Sequence, residues 1–321
     1  MPARISSMKI LVTDGLESEA LAALRAAHEV HVDDVDAGRL LEILPGYDAL
    51  IVRGRTKVTK AVLDRAARLK VVGRAGVGVD NIDVVDATAR KILVVNAPAS
   101  STTSVAELAI GHMISLYRHL PTADRGVKEG RWEKKALEGR ELSGKILGLV
   151  GSGRIGAEVA GCARAFGMTV LAYDPYLRRE DAARLGIELV DKARLFEEAD
   201  VVSVHAALTP ETRHLVGPRE FSLMKRTSIL VNCARGEIVD EGALAEALQT
   251  GMISGAALDV FETEPPSGSP ILRAPNAVFT PHLGASTKEA QARAGATIAD
   301  QVIKALAGER PEFLVNPQAY G

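Results

Sequence analysis

Two short stretches carry residues whose types and spacing could do chemistry. In KILGLVGSGRIGAEVAGCARAFGMTVLAYDP, starting at Lys145, Gly151-x-Gly153-x-x-Gly156 follows an apolar run and precedes an alanine-rich one with helical spacing. Gly151 suits a tight turn, Gly153 a close approach of backbone to a pyrophosphate, and Gly156 close packing of helix on strand. The N-terminus of the helix, which includes Arg154 and Ile155, offers unpaired N–H groups to phosphates. Asp174 closes the next apolar run about 20 residues on, where a carboxylate accepts from ribose hydroxyls and repels a 2′-phosphate; this favours NAD over NADP. A glycine-rich turn without a ligand is the plainer alternative, and the strand, helix and acid in their required places argue against it. Arg178 and Arg179 could serve a 2′-phosphate, but their place after DPYL suits the start of an exposed helix.

The second stretch is VFTPHLGAST, with His282 beside a turn. Alone, such a histidine is either a satisfied strand-end side chain or a group that moves a proton. An earlier glycine pair, Gly76 and Gly78 in VVGRAGVGVDNID, lacks a third glycine because Asn81 stands there. A second nucleotide site is therefore not expected, although a loop at the carboxyl end of a parallel strand still suits a substrate, and Arg74 points to an anion.

The elements that must position these residues follow from the apolar pattern. Runs rich in Val, Ile and Leu recur as KILVT, ALIVR, LKVVG, ILVVN, ILGLVG, TVLAYD, DVVSVHA, SILVNCA and NAVFT, with alanine-rich helical segments between many of them. Alternating strands and helices predict an α/β protein with largely parallel sheets. A helix is predicted from Thr103 to Leu120, punctuated by Pro98 and Pro121, and serves as a connector between domains. A charged stretch without strand signal follows it. Ser286 stands three residues before Glu289, a capping-box spacing, heading a second connecting helix to about Gly308.

At 321 residues the chain is long enough for two domains. It is 47% hydrophobic, 25% charged and 4% aromatic, a globular composition built on aliphatic residues. The net charge of −2 gives no broad positive field, so nucleic acid and anionic membrane surfaces are not expected partners. No apolar run reaches the ~18 residues that span a bilayer, and no secretory leader pattern opens the sequence. The two cysteines, Cys162 and Cys233, imply neither a disulfide framework nor a metal site, and a reducing, cytoplasmic setting fits.

Three further strings, LVNCARGEIVDEGAL, GAALDVFETEPP and PHLGAST, follow the glycine motif. In order and spacing they resemble the D-isomer-specific 2-hydroxyacid dehydrogenase family over nearly the whole chain. Within it they are most similar to the branch that oxidises 3-phosphoglycerate, here in a short form without a regulatory domain. The resemblance implies two doubly wound parallel-sheet domains: a flavodoxin-like substrate domain (1–98 and 286–321) and, inserted in it, a Rossmann NAD-binding domain (99–285). It also implies a homodimer or higher homo-oligomer, and the basic residues around Trp132 suit either a neighbouring subunit or a solvated face.

By the same resemblance the catalytic arginine, glutamate and histidine fall on Arg235, Glu264 and His282. The chemistry is coherent. A guanidinium holds the carboxylate of a 2-hydroxy acid by charge-assisted bonds, an imidazole takes the hydroxyl proton as hydride leaves, and a carboxylate on the other ring nitrogen fixes the tautomer. Singly, each residue also suits a plainer place, as a surface ion pair, a loop acid or a strand-end histidine. Cofactor contacts are implied at Arg154, Ile155, Cys233, Ala234, Arg235, Asp259, His282, Gly284 and Ala285. They are also implied at Val77 and Ala206, where threonine would be expected and side-chain bonds are therefore lost. Substrate contacts are implied at Arg53, Arg74, Gly76, Arg235 and His282; Gly54 and Arg55 depart from the pattern in VRGRTKVT. The expected reaction is NAD-dependent oxidation of 3-phosphoglycerate to 3-phosphohydroxypyruvate, the first step towards serine. The alternatives are a glyoxylate or hydroxypyruvate reductase, or a corepressor-like protein that senses NAD without turnover.

Overall fold

The computed structural model describes residues 7–320. Along the chain the strands are β1 (Lys9–Val12), β2 (Glu29–Val32), β3 (Ala49–Val52), β4 (Val71–Arg74), β5 (Leu93–Val95), β6 (Ile146–Val150), β7 (Thr169–Tyr173), β8 (Glu188–Leu189), β9 (Val201–Val204), β10 (Ile229–Asn232), β11 (Gly255–Leu258) and β12 (Ala277–Phe279). The helices are α1 (Ser18–Ala27), α2 (Ala37–Ile43), α3 (Lys60–Arg65), α4 (Val84–Ala89), α5 (Thr102–Tyr117), α6 (Leu120–Lys128), α7 (Arg154–Ala165), α8 (Arg179–Arg184), α9 (Lys192–Glu198), α10 (Pro218–Leu223), α11 (Glu241–Gln249) and α12 (Lys288–Leu306).

The chain forms two compact units, 1–101 with 285–321, and 102–284. The divisions expected from the sequence are 98/99 and 285/286. In the first unit every strand pair is parallel and the order is β2-β1-β3-β4-β5, the flavodoxin-like winding. One face buries Leu40, Leu63, Val72 and Val94, and the other buries Ile10, Ile51, Ile298 and Val302. The second unit is also fully parallel, with order β12-β11-β10-β9-β6-β7-β8. Counted within the unit, the strand after β8 returns beside β6, which is the Rossmann winding. Its central strands β9, β10 and β11 are buried along their whole length, as a sheet covered by helices on both faces requires.

Two local expectations, the span of one helix and the cap of another, need correction, and two further features lie outside those expectations. The predicted helix 103–120 is two: α5 stops at Tyr117, His119 takes a left-handed φ of 53°, and Leu120 opens α6 with Pro121 in its first turn. Proline lacks only an N–H that the first turn leaves unpaired anyway, so Pro121 starts a helix here. The charged stretch after Pro121 therefore begins helical. The N-cap of α12 is Thr287, whose hydroxyl accepts from the Ala290 N–H, and not Ser286. Finally, β2, β8 and β11 lack a recognisable apolar run: β2 is mostly exposed, β8 has two residues, and β11 is GAAL, small residues that a buried central strand accommodates.

Candidate active site

The carboxyl ends of the second unit's strands assemble the site residue by residue. At the switch point, where the winding reverses between β6 and β9, Gly151 leaves β6 with φ 86°, and a Cβ there would lie 2.7 Å from the Ala206 Cα. A Cβ at Gly156 would lie 2.6 Å from the Gly151 carbonyl oxygen, so α7 packs on the loop only because both are glycine. Gly153 is the N-cap of α7 without a side-chain cap, and the space beside it is open. Arg154 and Ile155 form the first turn, whose N–H groups this arrangement offers to an anion.

Asp174 follows β7 and is oriented by the backbone: its Oδ2 accepts from the Ser152 N–H at 2.8 Å, and Oδ1 accepts from Tyr176 (2.9 Å) and Leu177 (3.2 Å). The carboxylate is thus tied to the glycine loop itself. Arg178 pairs with Asp181 at 2.7 Å, and Arg179 starts α8. His205, after β9, has Nε2 2.8 Å from the Ser203 hydroxyl, and burial pushes its pKa down to about 4, so the ring is neutral. Buried Ser152 Oγ and His205 Nδ1 have no protein partner among the described residues. Open space at Gly153, two unpartnered polar atoms around the loop and an oriented acid on the next strand fit a dinucleotide.

After β10, Asn232 organises the turn that carries Arg235. Its Oδ1 accepts from the Ala234 N–H at 3.0 Å, and its Nδ2 donates to the Arg235 carbonyl at 2.9 Å. The Arg235 guanidinium donates to the Ala234 carbonyl through Nη1 at 2.7 Å. Gly236 lies so close to the 261–262 backbone that a Cβ would fall 1.9 Å from the Phe261 carbonyl carbon. That contact seats the Arg235 turn against the loop bearing Glu264. Burial pushes the Cys233 thiol well up, so it is neutral lining rather than a nucleophile.

His282 Nδ1 lies 2.8 Å from Glu264 Oε2, and the Glu264 Oε1 accepts from the Phe261 N–H at 3.3 Å. An ionised carboxylate only accepts, so Nδ1 carries the hydrogen and Nε2 keeps the lone pair of the neutral ring. The bond to Glu264 raises the His282 pKa; partial burial opposes it, the charges of Glu264 and Asp259 add, and Arg235 subtracts. For Glu264 burial pushes upward, but the His282 bond and charge, the Phe261 N–H and Arg235 together bring its pKa below the usual value. Both partners therefore favour the charged pair. About half of the His282 side chain is exposed.

Asp259, expected as a cofactor contact, also has bonds within the protein. It is buried at the end of β11; Oδ1 accepts from the Thr280 hydroxyl (2.6 Å) and the Leu283 N–H (2.7 Å), and Oδ2 accepts from the Gly284 N–H (2.8 Å). Its carbonyl accepts from the His282 N–H at 2.8 Å. Asp259 thus anchors the loop of His282. Thr280, Asn232 and His112, which bonds Thr280, went unnoticed in the sequence; the TPH string gave the only hint of Thr280.

The remaining expected residues belong to the first unit. Arg53 follows β3 and donates to Glu17 Oε1 at 2.9 Å, while its N–H donates to Asp14 Oδ2 at 2.8 Å. Arg55 pairs with Asp14 and with Asp34. Arg74 ends β4 with its guanidinium folded over Gly76, where a Cβ would lie 1.6 Å from Nη1. The Val77 carbonyl accepts from Asn96 Nδ2 at 2.6 Å, and Ala285 precedes α12. No helix is long and apolar enough to cross a membrane, and no cluster of metal-binding side chains occurs, among the described residues.

Residues 110–284 match the family model described as "D-isomer specific 2-hydroxyacid dehydrogenase, NAD binding domain". The chain is similar to a D-3-phosphoglycerate dehydrogenase of Methanocaldococcus jannaschii, 50% identical over 311 residues, covering 96% of this chain and 59% of the relative. It thus spans under two thirds of that relative's length. A hydroxypyruvate reductase of Thermotoga maritima is 45% identical, covering 93% of this chain and 98% of that protein. A crystal structure of D-lactate dehydrogenase from Aquifex aeolicus complexed with NAD and lactic acid superposes with a TM-score of 0.84 at 31% identity, covering 94% and 96% of the two chains.

Proposed function

We propose that this chain, which belongs to the D-isomer specific 2-hydroxyacid dehydrogenase family and carries its NAD-binding domain, oxidises D-3-phosphoglycerate to 3-phosphohydroxypyruvate with NAD. The observation that carries the reading is the 2.8 Å bond between His282 Nδ1 and Glu264 Oε2, on a half-exposed ring that also feels the charge of Arg235. The N-terminus of α7, the glycine loop and Asp174 would hold the cofactor, which supplies the hydride acceptor when bound. His282 Nε2 takes the C2 hydroxyl proton, and Glu264 stabilises the imidazolium that forms. Arg235 binds the substrate carboxylate and draws charge towards the developing carbonyl. In the reverse direction the protonated ring returns the proton.

A panel of 2-oxo acids assayed with NADH and NADPH tests this. The expected result is the highest kcat/KM for 3-phosphohydroxypyruvate with NADH, and a protein that binds NADH yet reduces no 2-oxo acid overturns it. A hydroxypyruvate or glyoxylate reductase is the second reading. It is favoured by the pairing of Arg53 with Glu17 and of Arg55 with Asp14 and Asp34, which leaves these cations partly neutralised towards a phosphate. If removing the C3 phosphate raises kcat/KM, the second reading replaces the first. We read the assembly as a homodimer: Leu120, Val127 and Trp132 leave apolar surface exposed along α6 and just after it. Mass measurement in solution decides that. A cytoplasmic setting accords with two free thiols and no disulfide.

A further inference from the structure

Helix α5 turns an almost wholly aliphatic face to the core of its unit, with Val105, Ala109, Ile110, Met113 and Leu116 buried. His112 interrupts that face and is itself 3% exposed. Burying an imidazole costs stability unless its polar atoms are bonded. Its Nε2 lies 3.1 Å from the Thr280 Oγ. The Thr280 hydroxyl has a single hydrogen, and at 2.6 Å it gives it to the Asp259 carboxylate. Its oxygen must then accept, so His112 is the donor and carries its hydrogen on Nε2. The neutral ring agrees with burial, which lowers the His112 pKa against the opposing pull of Asp259.

The chain of bonds ends on the acid–base group. Asp259 holds the N–H of Leu283 and of Gly284 through its carboxylate, and that of His282 through its carbonyl. His282 itself has a left-handed φ of 53°, a conformation that lasts only where its surroundings over-determine it. Thr280 stands on the other side of that residue, and its carbonyl also accepts from the His282 N–H at 3.1 Å. We propose that His112 is a positioning residue: through Thr280 and Asp259 it fixes the loop that holds the His282 ring against Glu264. This extends the reading of His282 as the acid–base group. The charged groups acting on the ring are Glu264, Asp259 and Arg235, and His112 acts by geometry and by polarising the Thr280 hydroxyl rather than by charge.

The test is an NMR titration of the histidine rings, with His282 assigned from a His282→Asn variant, alongside kcat and the NADH dissociation constant. In the parent protein the His282 midpoint lies above the ordinary histidine value. In His112→Leu and Thr280→Val it falls towards that value, and kcat drops about three- to tenfold, the worth of one net hydrogen bond, while NADH affinity changes less than about twofold. His112→Gln, whose amide can still donate to Thr280, retains most of both. An unchanged midpoint in His112→Leu and Thr280→Val overturns the proposal, as does an equal loss in the Leu and Gln variants, which would reduce His112 to packing. Thr280→Val preserves side-chain shape and carries the test if His112→Leu does not fold. A protein that reduces no 2-oxo acid sinks the dehydrogenase reading, yet its His282 midpoint still reports on the positioning.

Discussion

The two units share a winding principle and differ at the place where such windings bind ligands. In the second unit the switch point between β6 and β9 opens onto glycines, a bare helix N-terminus and polar atoms without partners. In the first unit the switch point lies between β1 and β3 and is filled by the chain's own carboxylate. Asp14, which follows β1, accepts from the N–H groups of Arg53 and Thr56, from the Thr56 hydroxyl and from the Arg55 guanidinium. Burial pushes its pKa upward, yet these donors, Thr56 first, bring it below the usual carboxylate value. The aspartate takes up donors that the ends of β1 and β3 would otherwise leave open. A doubly wound sheet therefore offers a place for a ligand, and the side chains there decide whether one enters.

The largest effect that would sharpen this contrast is at His282. Replacement by alanine should lower kcat by about 10²- to 10⁴-fold, the usual worth of a general acid–base group, with NADH affinity retained in a fluorescence titration. Full turnover in that variant would remove the second unit's claim to the chemistry. Next, Asp14→Ala should cost roughly 3 kcal/mol of stability in a denaturant titration, because several donors lose a buried acceptor together, while NADH binding is unaffected. A loss of NADH affinity without a loss of stability would break the comparison.

A smaller change is expected from Glu264→Gln. Because Glu264 raises the His282 pKa, oxo-acid reduction by the parent protein should persist above pH 6.5 and decline only as pH passes the raised value; oxidation should rise through the same range. The variant should move both profiles to lower pH and lose about tenfold in kcat. The stability sign agrees: the His282–Glu264 pair stabilises the folded state below the unfolded histidine value and is lost as pH rises through the folded one. The smallest effect is at Asp174. Its replacement by alanine should narrow the preference for NADH over NADPH by about fivefold, read as a ratio of kcat/KM values; an unchanged ratio would leave its carboxylate a purely structural tie for the glycine loop.

Much of this was legible in the sequence because it is local. The glycine spacing and Asp174 lie in one strand–helix–strand unit, and the strings around Arg235, Glu264 and His282 each sit in a single loop. The edge strands β2 and β8 were not legible, since edge position spares them from needing an apolar run, and β11 was hidden by its small residues. Nor could sequence spacing reveal that α5 ends before Leu120, because the break depends on one left-handed residue, His119.

By itself the sequence determined the α/β alternation, the glycine loop with its acid and the strings that carry the proposed catalytic residues, since each depends on neighbours along the chain. Only the tertiary structure decided what the buried acids do. Asp259 meets Thr280, Leu283 and Gly284 more than twenty positions away, and Asp14 meets Arg53 thirty-nine positions away. Whether a carboxylate receives a ligand or anchors a loop depends on which donors the fold brings to it, and for Asp14 and Asp259 those donors belong to strands and loops distant in sequence.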